Sequence, residues 1–198
     1  MKLTPKLLKR LIRETIRENS MLLSESIGKD YQSLMDSLEF KNNSLRTFGI
    51  MSGQNPMAQD TLSAEENEQK VAELNAALDS LFGPEGHVPI GGKYGNPEKS
   101  NVIEDPSQED MEKLCEQFQQ ESYVWGNVAE EPPYKLMKVE YDENGKALGS
   151  FLYPDSTGVD IILKDDIMSG ADDNYSELEG KKFGFPFFGM PESSDDEV

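Results

Sequence analysis

The stretch RTFGIMSGQNPMAQDTLSAEENEQKVAELNAALDSLFG, Arg46 to Gly83, decides how the chain is read. Arg46–Met51 is apolar and bounded by glycine, which predicts a short buried strand. Ser52–Thr61 follows as a loop built around Asn55-Pro56. Ser63 and Glu66 then stand three residues apart ahead of an apolar run, a capping box. Val71, Leu74, Leu78 and Leu81 recur at helical spacing, so the helix runs through Phe82 and buries those four residues. Gly83-Pro84 stops it.

Downstream, the Gly- and Pro-rich residues 84–100 read as loop with a short strand at Val88–Ile90, and Asn101–Glu104 as another strand. Gly91-Gly92-Lys93 reads as a flexible loop and His87, after Gly86, as a solvated side chain. Ser107 caps a second helix, with Met111, Leu114, Cys115 and Phe118 at i, i+3, i+4 and i+7. Ser122–Val128 predicts a strand. Tyr134–Tyr141 and Ala147–Tyr153 flank Asp142-Glu143-Asn144-Gly145, a hairpin signal. Val159–Leu163 is a further candidate strand. Upstream, Tyr31, Leu34, Met35 and Leu38 mark a weak helical pattern. Two helices alternating with strands, then a hairpin, predict an α+β fold. We expect a small mostly antiparallel sheet with two helices on one face, plus a separate N-terminal amphipathic helix. The expected divisions are a basic leader helix at 1–20, a linker with a short helix at 21–44, an α+β domain at 45–168, and an acidic, largely irregular tail at 169–198.

The 198 residues carry 38 acids against 19 Lys and Arg, a net charge of −19, and are only 36% hydrophobic. Such a surface repels nucleic acid and anionic membrane, so neither is expected to bind the body directly. Charge is unevenly placed. Residues 1–20 hold six cations and two acids, +4, leaving −23 on the rest. Thr4 and Pro5 suit a helix start. Leu3, Leu7, Leu8, Leu11, Ile12 and Ile16 form one apolar stripe, with Lys and Arg on the other face. Leu7, Leu8, Leu11, Arg10, Arg13 and Arg17 are therefore candidate partner-docking residues. The plainer alternative is a helix docked on its own body.

One cysteine excludes an internal disulfide, and one histidine excludes a His-rich metal site. No P-loop, dinucleotide loop or zinc spacing occurs. Cys115 lies on an apolar helix face and reads as core. Asp155, Asp160, Asp165, Asp166, Asp172 and Asp173 lack the spacing of a calcium loop. No catalytic residue, metal site or cofactor is expected.

Phe48 to Trp125 nevertheless resembles a known family. Phe48-Gly49-Ile50-Met51-Ser52-Gly53-Gln54-Asn55-Pro56, then Glu66-Asn67, Glu98-Lys99-Ser100 and Phe118-Gln119-Gln120 are similar to the pattern of domain-of-unknown-function family 3293. That family occurs in bacteria and tailed phages and has no assigned activity; the resemblance spans about residues 46–128. Gly53 stands where the family has Ala, and Gln119 where it has Gly. The resemblance implies a cluster of Asn55, Asn67, Glu98, Ser100 and Gln120 at strand and helix ends. Amides with one carboxylate can hold a small polar ligand; equally, Asn55 and Asn67 can serve loop backbone and helix cap. No activated nucleophile accompanies them.

MKLTPKLLKRLIRETIRE also resembles the basic amphipathic leaders of large tailed-phage proteins. Some of those target the capsid and are cut after a Leu/Ile-x-Glu triplet. Ile12-Arg13-Glu14, Ile16-Arg17-Glu18 and Leu23-Ser24-Glu25 fit that triplet, making Glu14, Glu18 and Glu25 candidate processing points. The expected function is a phage-encoded acidic accessory or virion-associated protein. It would bind a phage structural or host protein, in the host cytoplasm or the particle. Two alternatives are a small nucleotide- or metabolite-binding enzyme or sensor, and an acidic nucleic-acid mimic inhibiting a host defence protein.

Overall fold

The computed structural model describes residues 29–41, 45–54, 62–94, 96–158, 161–163 and 174–185. Among the described residues three helices and nine strands follow one another: α1 (Tyr31–Leu38), β1 (Thr47–Ser52), α2 (Ala64–Phe82), β2 (His87–Tyr94), β3 (Asn96–Glu104), α3 (Gln108–Phe118), β4 (Ser122–Asn127), β5 (Tyr134–Tyr141), β6 (Ala147–Gly158), β7 (Ile162–Leu163), β8 (Asn174–Leu178) and β9 (Lys181–Gly184). The fold is α+β, with one antiparallel sheet in the order β6-β5-β4-β1-β3-β2-β8-β9-β7.

Capping sets the helix starts. Ser63 Oγ accepts from the Glu66 amide at 3.2 Å while the Glu66 carboxylate accepts from the Ser63 amide at 2.8 Å. Ser107 and Asp110 form the same reciprocal pair on α3. Asp30 caps α1 by accepting from the Ser33 amide and hydroxyl. Those bonds from Ser33 hold the Asp30 carboxyl below its ordinary range. Gly83, at φ +82, ends α2.

Each sheet face carries its own core. On one face α2 and α3 bury Leu74, Leu78, Met111, Leu114, Cys115 and Phe118 against Met51, Ile103, Tyr123, Trp125, Met137 and Val139. On the other, α1 buries Leu34, Met35 and Leu38 against Phe48, Ile50, Val88, Val102, Tyr134, Phe183 and Phe185. β5 and β9 are six steps apart in the sheet, roughly 29 Å if it were flat. Yet the rings of Tyr134 and Phe185, one at each place, are 5.7 Å apart. The sheet therefore curls around the second core. α1 lies in the curl: Tyr134 Oη donates to the Leu38 carbonyl at 3.0 Å, and Tyr31 meets Phe183 edge-on at 6.3 Å.

Several expectations need correction. The sheet is not small; it has nine strands. The helix expected within a linker is part of the second core. The tail expected to be irregular supplies β8 and β9 at 174–178 and 181–184. Gly91-Gly92-Lys93 lies within β2, not a loop. Leu81 is exposed and Val71 only half-buried, because α2 turns a narrower stripe to the sheet than its leucines suggest. His87 is buried, not solvated.

Candidate functional site

Three chain segments meet where β1 ends. Ser52 Oγ donates to the Lys99 carbonyl at 2.9 Å and accepts from the Gln54 amide at 3.0 Å. Gln54 Oε1 accepts from the Lys99 amide at 2.7 Å. Gln120 Nε2 donates to the Gln54 carbonyl at 2.9 Å, tying the exit of α3 to the same corner. Tyr141 Oη fixes Gln120 by donating to its carbonyl at 2.6 Å. Lys99 Nζ reaches Glu68, on α2, at 2.5 Å.

Gly53 and Gln119 each have a structural reason here. A Cβ on Gly53 would stand 2.9 Å from the Lys70 carbonyl oxygen and 3.2 Å from Leu74 Cβ. Glycine is what lets α2 lie this close to the corner. Gln119 takes the left-handed helix cap, φ 52 and ψ 44, that usually favours glycine. Its amide compensates, donating to the Glu116 carbonyl at 2.6 Å and the Gly145 carbonyl at 3.0 Å.

Of the expected cluster, Ser100 and Gln120 reach this corner, both buried. Ser100 pairs with Ser52 across β1 and β3. Glu98 is two residues along β3 from Ser100 and so shares its face. Asn67 is in the first turn of α2, its amide donating to the Ser63 carbonyl at 3.0 Å. Asn55, the leader residues Leu7, Leu8, Leu11, Arg10, Arg13 and Arg17, and the processing points Glu14, Glu18 and Glu25 lie outside the described residues.

A second constellation was not anticipated. Between α2 and the β2–β3 pair runs an open groove of about 540 Å³. Glu68, Val71, Ala72 and Asn75 form its helical wall, and Pro89, Gly91, Lys99 and Asn101 lie on its sheet side; of the expected cluster, Ser100 borders it. At one end, Asn101 Nδ2 donates to Asn75 Oδ1 at 2.9 Å and Asn101 Oδ1 faces His87 Nδ1 at 2.9 Å. His87 Nε2 faces Asp79 Oδ1 at 3.2 Å. With Asn101 Oδ1 toward the ring, both ring nitrogens must carry a proton to bond Asn101 and Asp79; with both amides turned over, a neutral imidazole serves all three contacts, Nε2–H donating to Asp79 and Nδ1 accepting from Asn101. The relay can thus present either a donor or an acceptor. The sequence signal was present: Asn75 and Asp79 are four residues apart on α2, one helical turn.

Burial, aided by Glu112, pushes the Cys115 thiol far above its ordinary range, so it is neither thiolate nor accessible. Among the described residues no cluster of His, Cys, Asp and Glu could hold a metal ion. No described helix is long and apolar enough to cross a membrane. Comparison of the sequence with protein-family models and with curated proteins gives no match.

Proposed function

We propose that the chain works by binding a protein partner, as a phage-encoded accessory or virion-associated protein, with its basic leader as a separate docking or capsid-targeting helix. The observation that carries the binding part is the β6 edge. β6 pairs with β5 on one side only, and no described strand covers the other. Leu148, Phe151, Leu152 and Tyr153 all lie on it, between 40% and 64% exposed. Leu152 shares a face with buried Met137, whereas Phe151 shares the opposite face with Lys138, so apolar groups project on both sides of one open edge. An edge that no described strand pairs and that carries exposed apolar groups is where a partner strand adds, here along Phe151–Tyr153, beyond the amides that α3 already meets. α3 lies along the start of this edge, where Glu116 accepts from the Ala147 amide at 3.0 Å and Glu112 from the Ser150 amide at 2.9 Å, and these two carboxylates make the surroundings negative. The fitting partner is an extended segment with apolar residues flanked by Lys or Arg.

The family resemblance and the leader support the phage setting. Mass spectrometry of purified particles tests it, comparing the wild-type chain with a Phe151→Lys, Leu152→Lys variant. Lysines on an open edge oppose strand addition, and their aliphatic stems still cover the surface that Phe151 and Leu152 cover. We expect the wild type in particles and the variant lost from them at an unchanged melting temperature. Absence of the wild-type chain ends the virion reading, and full retention of the variant ends the role of β6.

A further inference from the structure

We infer that the groove between α2 and the β2–β3 pair binds an uncharged purine nucleoside. The relay Asn75–Asn101–His87–Asp79 sits in a helix–sheet interface filled elsewhere by Leu74, Leu78, Ile103 and Met51. His87 and Asn101 are buried there, Asn75 is half-buried and Asp79 opens to solvent; polar side chains buried where leucine would pack are costly, and local violations of this kind collect at functional sites. The groove's volume suits a small ligand.

Its surfaces specify the chemistry. Pro89 and Gly91 offer a low floor, and Val71 and Ala72 an apolar wall, so the middle accepts a flat ring. Asn75, half-exposed, turns its amide to one end; Asn101 bonds one of its two polar atoms, and the other can meet the edge of an adenine-like base. Glu68 at the other end is a carboxylate acceptor for ribose hydroxyls, as acidic residues are in other nucleoside sites. Lys99 is already paired with that carboxylate, and the chain carries −19, so polyanionic phosphates are disfavoured. The inference is independent of the β6 edge, which is five strands from β2 in the sheet.

Gly91 makes the test clean. A Cβ there would meet nothing nearer than the Glu177 carbonyl oxygen at 3.8 Å, so Gly91→Val fits the strand while filling the groove floor. Adenosine, guanosine, cytidine, uridine, ATP and GTP, each at millimolar concentration, would be tested by thermal shift, with calorimetry for any that respond. We expect a purine nucleoside to raise the melting temperature, Gly91→Val to abolish the shift, and Asn75→Ala to weaken binding about tenfold, the loss of one hydrogen bond. The inference is overturned if no nucleoside shifts the protein, if Gly91→Val shifts as the wild type does, or if only the triphosphates bind.

Discussion

Glu130 shows how one residue can order a bend. Its carboxylate accepts from Asn127 Nδ2 at 2.6 Å and from Trp125 Nε1 at 3.5 Å, and it pairs with Lys135 Nζ. Burial pulls the carboxyl upward, but Lys135, Asn127 and Trp125 outweigh it and hold Glu130 below the ordinary carboxylate range. A depressed folded value means the charged form stabilises the fold. That stabilisation is present above the ordinary glutamate value near pH 4.3 and is lost as pH falls through the folded value. Glu130→Gln should therefore cost about 1 kcal/mol at pH 7, modest because the site is partly exposed. Urea titrations of both proteins from pH 7 down to pH 3 would show the gap closing. A gap that is constant with pH would mean the carboxylate's charge contributes nothing. At the same scale, His87 was misread because a residue after a glycine looks like loop. Gly86 instead packs hard on the end of α2, where a Cβ would stand 2.5 Å from the Phe82 carbonyl oxygen, and the strand begins at once.

At the scale of elements, α2 and α3 were legible because capping boxes and helical periodicity are local signals that agree. The hairpin was legible for the same reason: Gly145, at φ +77, donates its amide to the Asp142 carbonyl at 3.0 Å. β8 was not. Its fully buried residue is Ser176, flanked by half-buried Tyr175 and Glu177, so no apolar alternation marks it. β2 hid behind Gly91-Gly92, since glycine is depleted in strands. The corner at the end of β1 was partly legible, through Ser100 and Gln120. The groove was not, because its relay joins α2 to β2 and β3 across spans that no local pattern covers. α1 was seen as a helix but not as core, because eight residues with four buried positions look like a linker until the curled sheet supplies their contacts. Leu34→Ala should then cost about 2–5 kcal/mol, as for a fully buried leucine. Chemical denaturation measures this directly, and a cost under half a kcal/mol would show α1 to be an appendage.

For the whole molecule, the leader is the part whose role is most open to experiment. Among the described residues both cores are built from Leu34 onward, and α1 already closes the curled face. A leader that only rests on the acidic body through its cations adds little, roughly 0–1 kcal/mol per exposed ion pair, and salt screens even that. A leader that buries Leu7, Leu8 and Leu11 in the body would add about 1.5–3 kcal/mol for each. In a chain of this length 1 kcal/mol moves the melting temperature by roughly 2–4 °C, so the two cases are far apart. Deleting residues 1–20 should leave the melting temperature within about 3 °C of the full chain, the effect of a few screened ion pairs. Deleting residues 1–41, which removes α1 as well, should unfold it. Scanning calorimetry at low and high salt makes both measurements. A fall of more than about 10 °C on removing 1–20 alone, independent of salt, would place the leucine stripe in the core and remove the case for a docking helix.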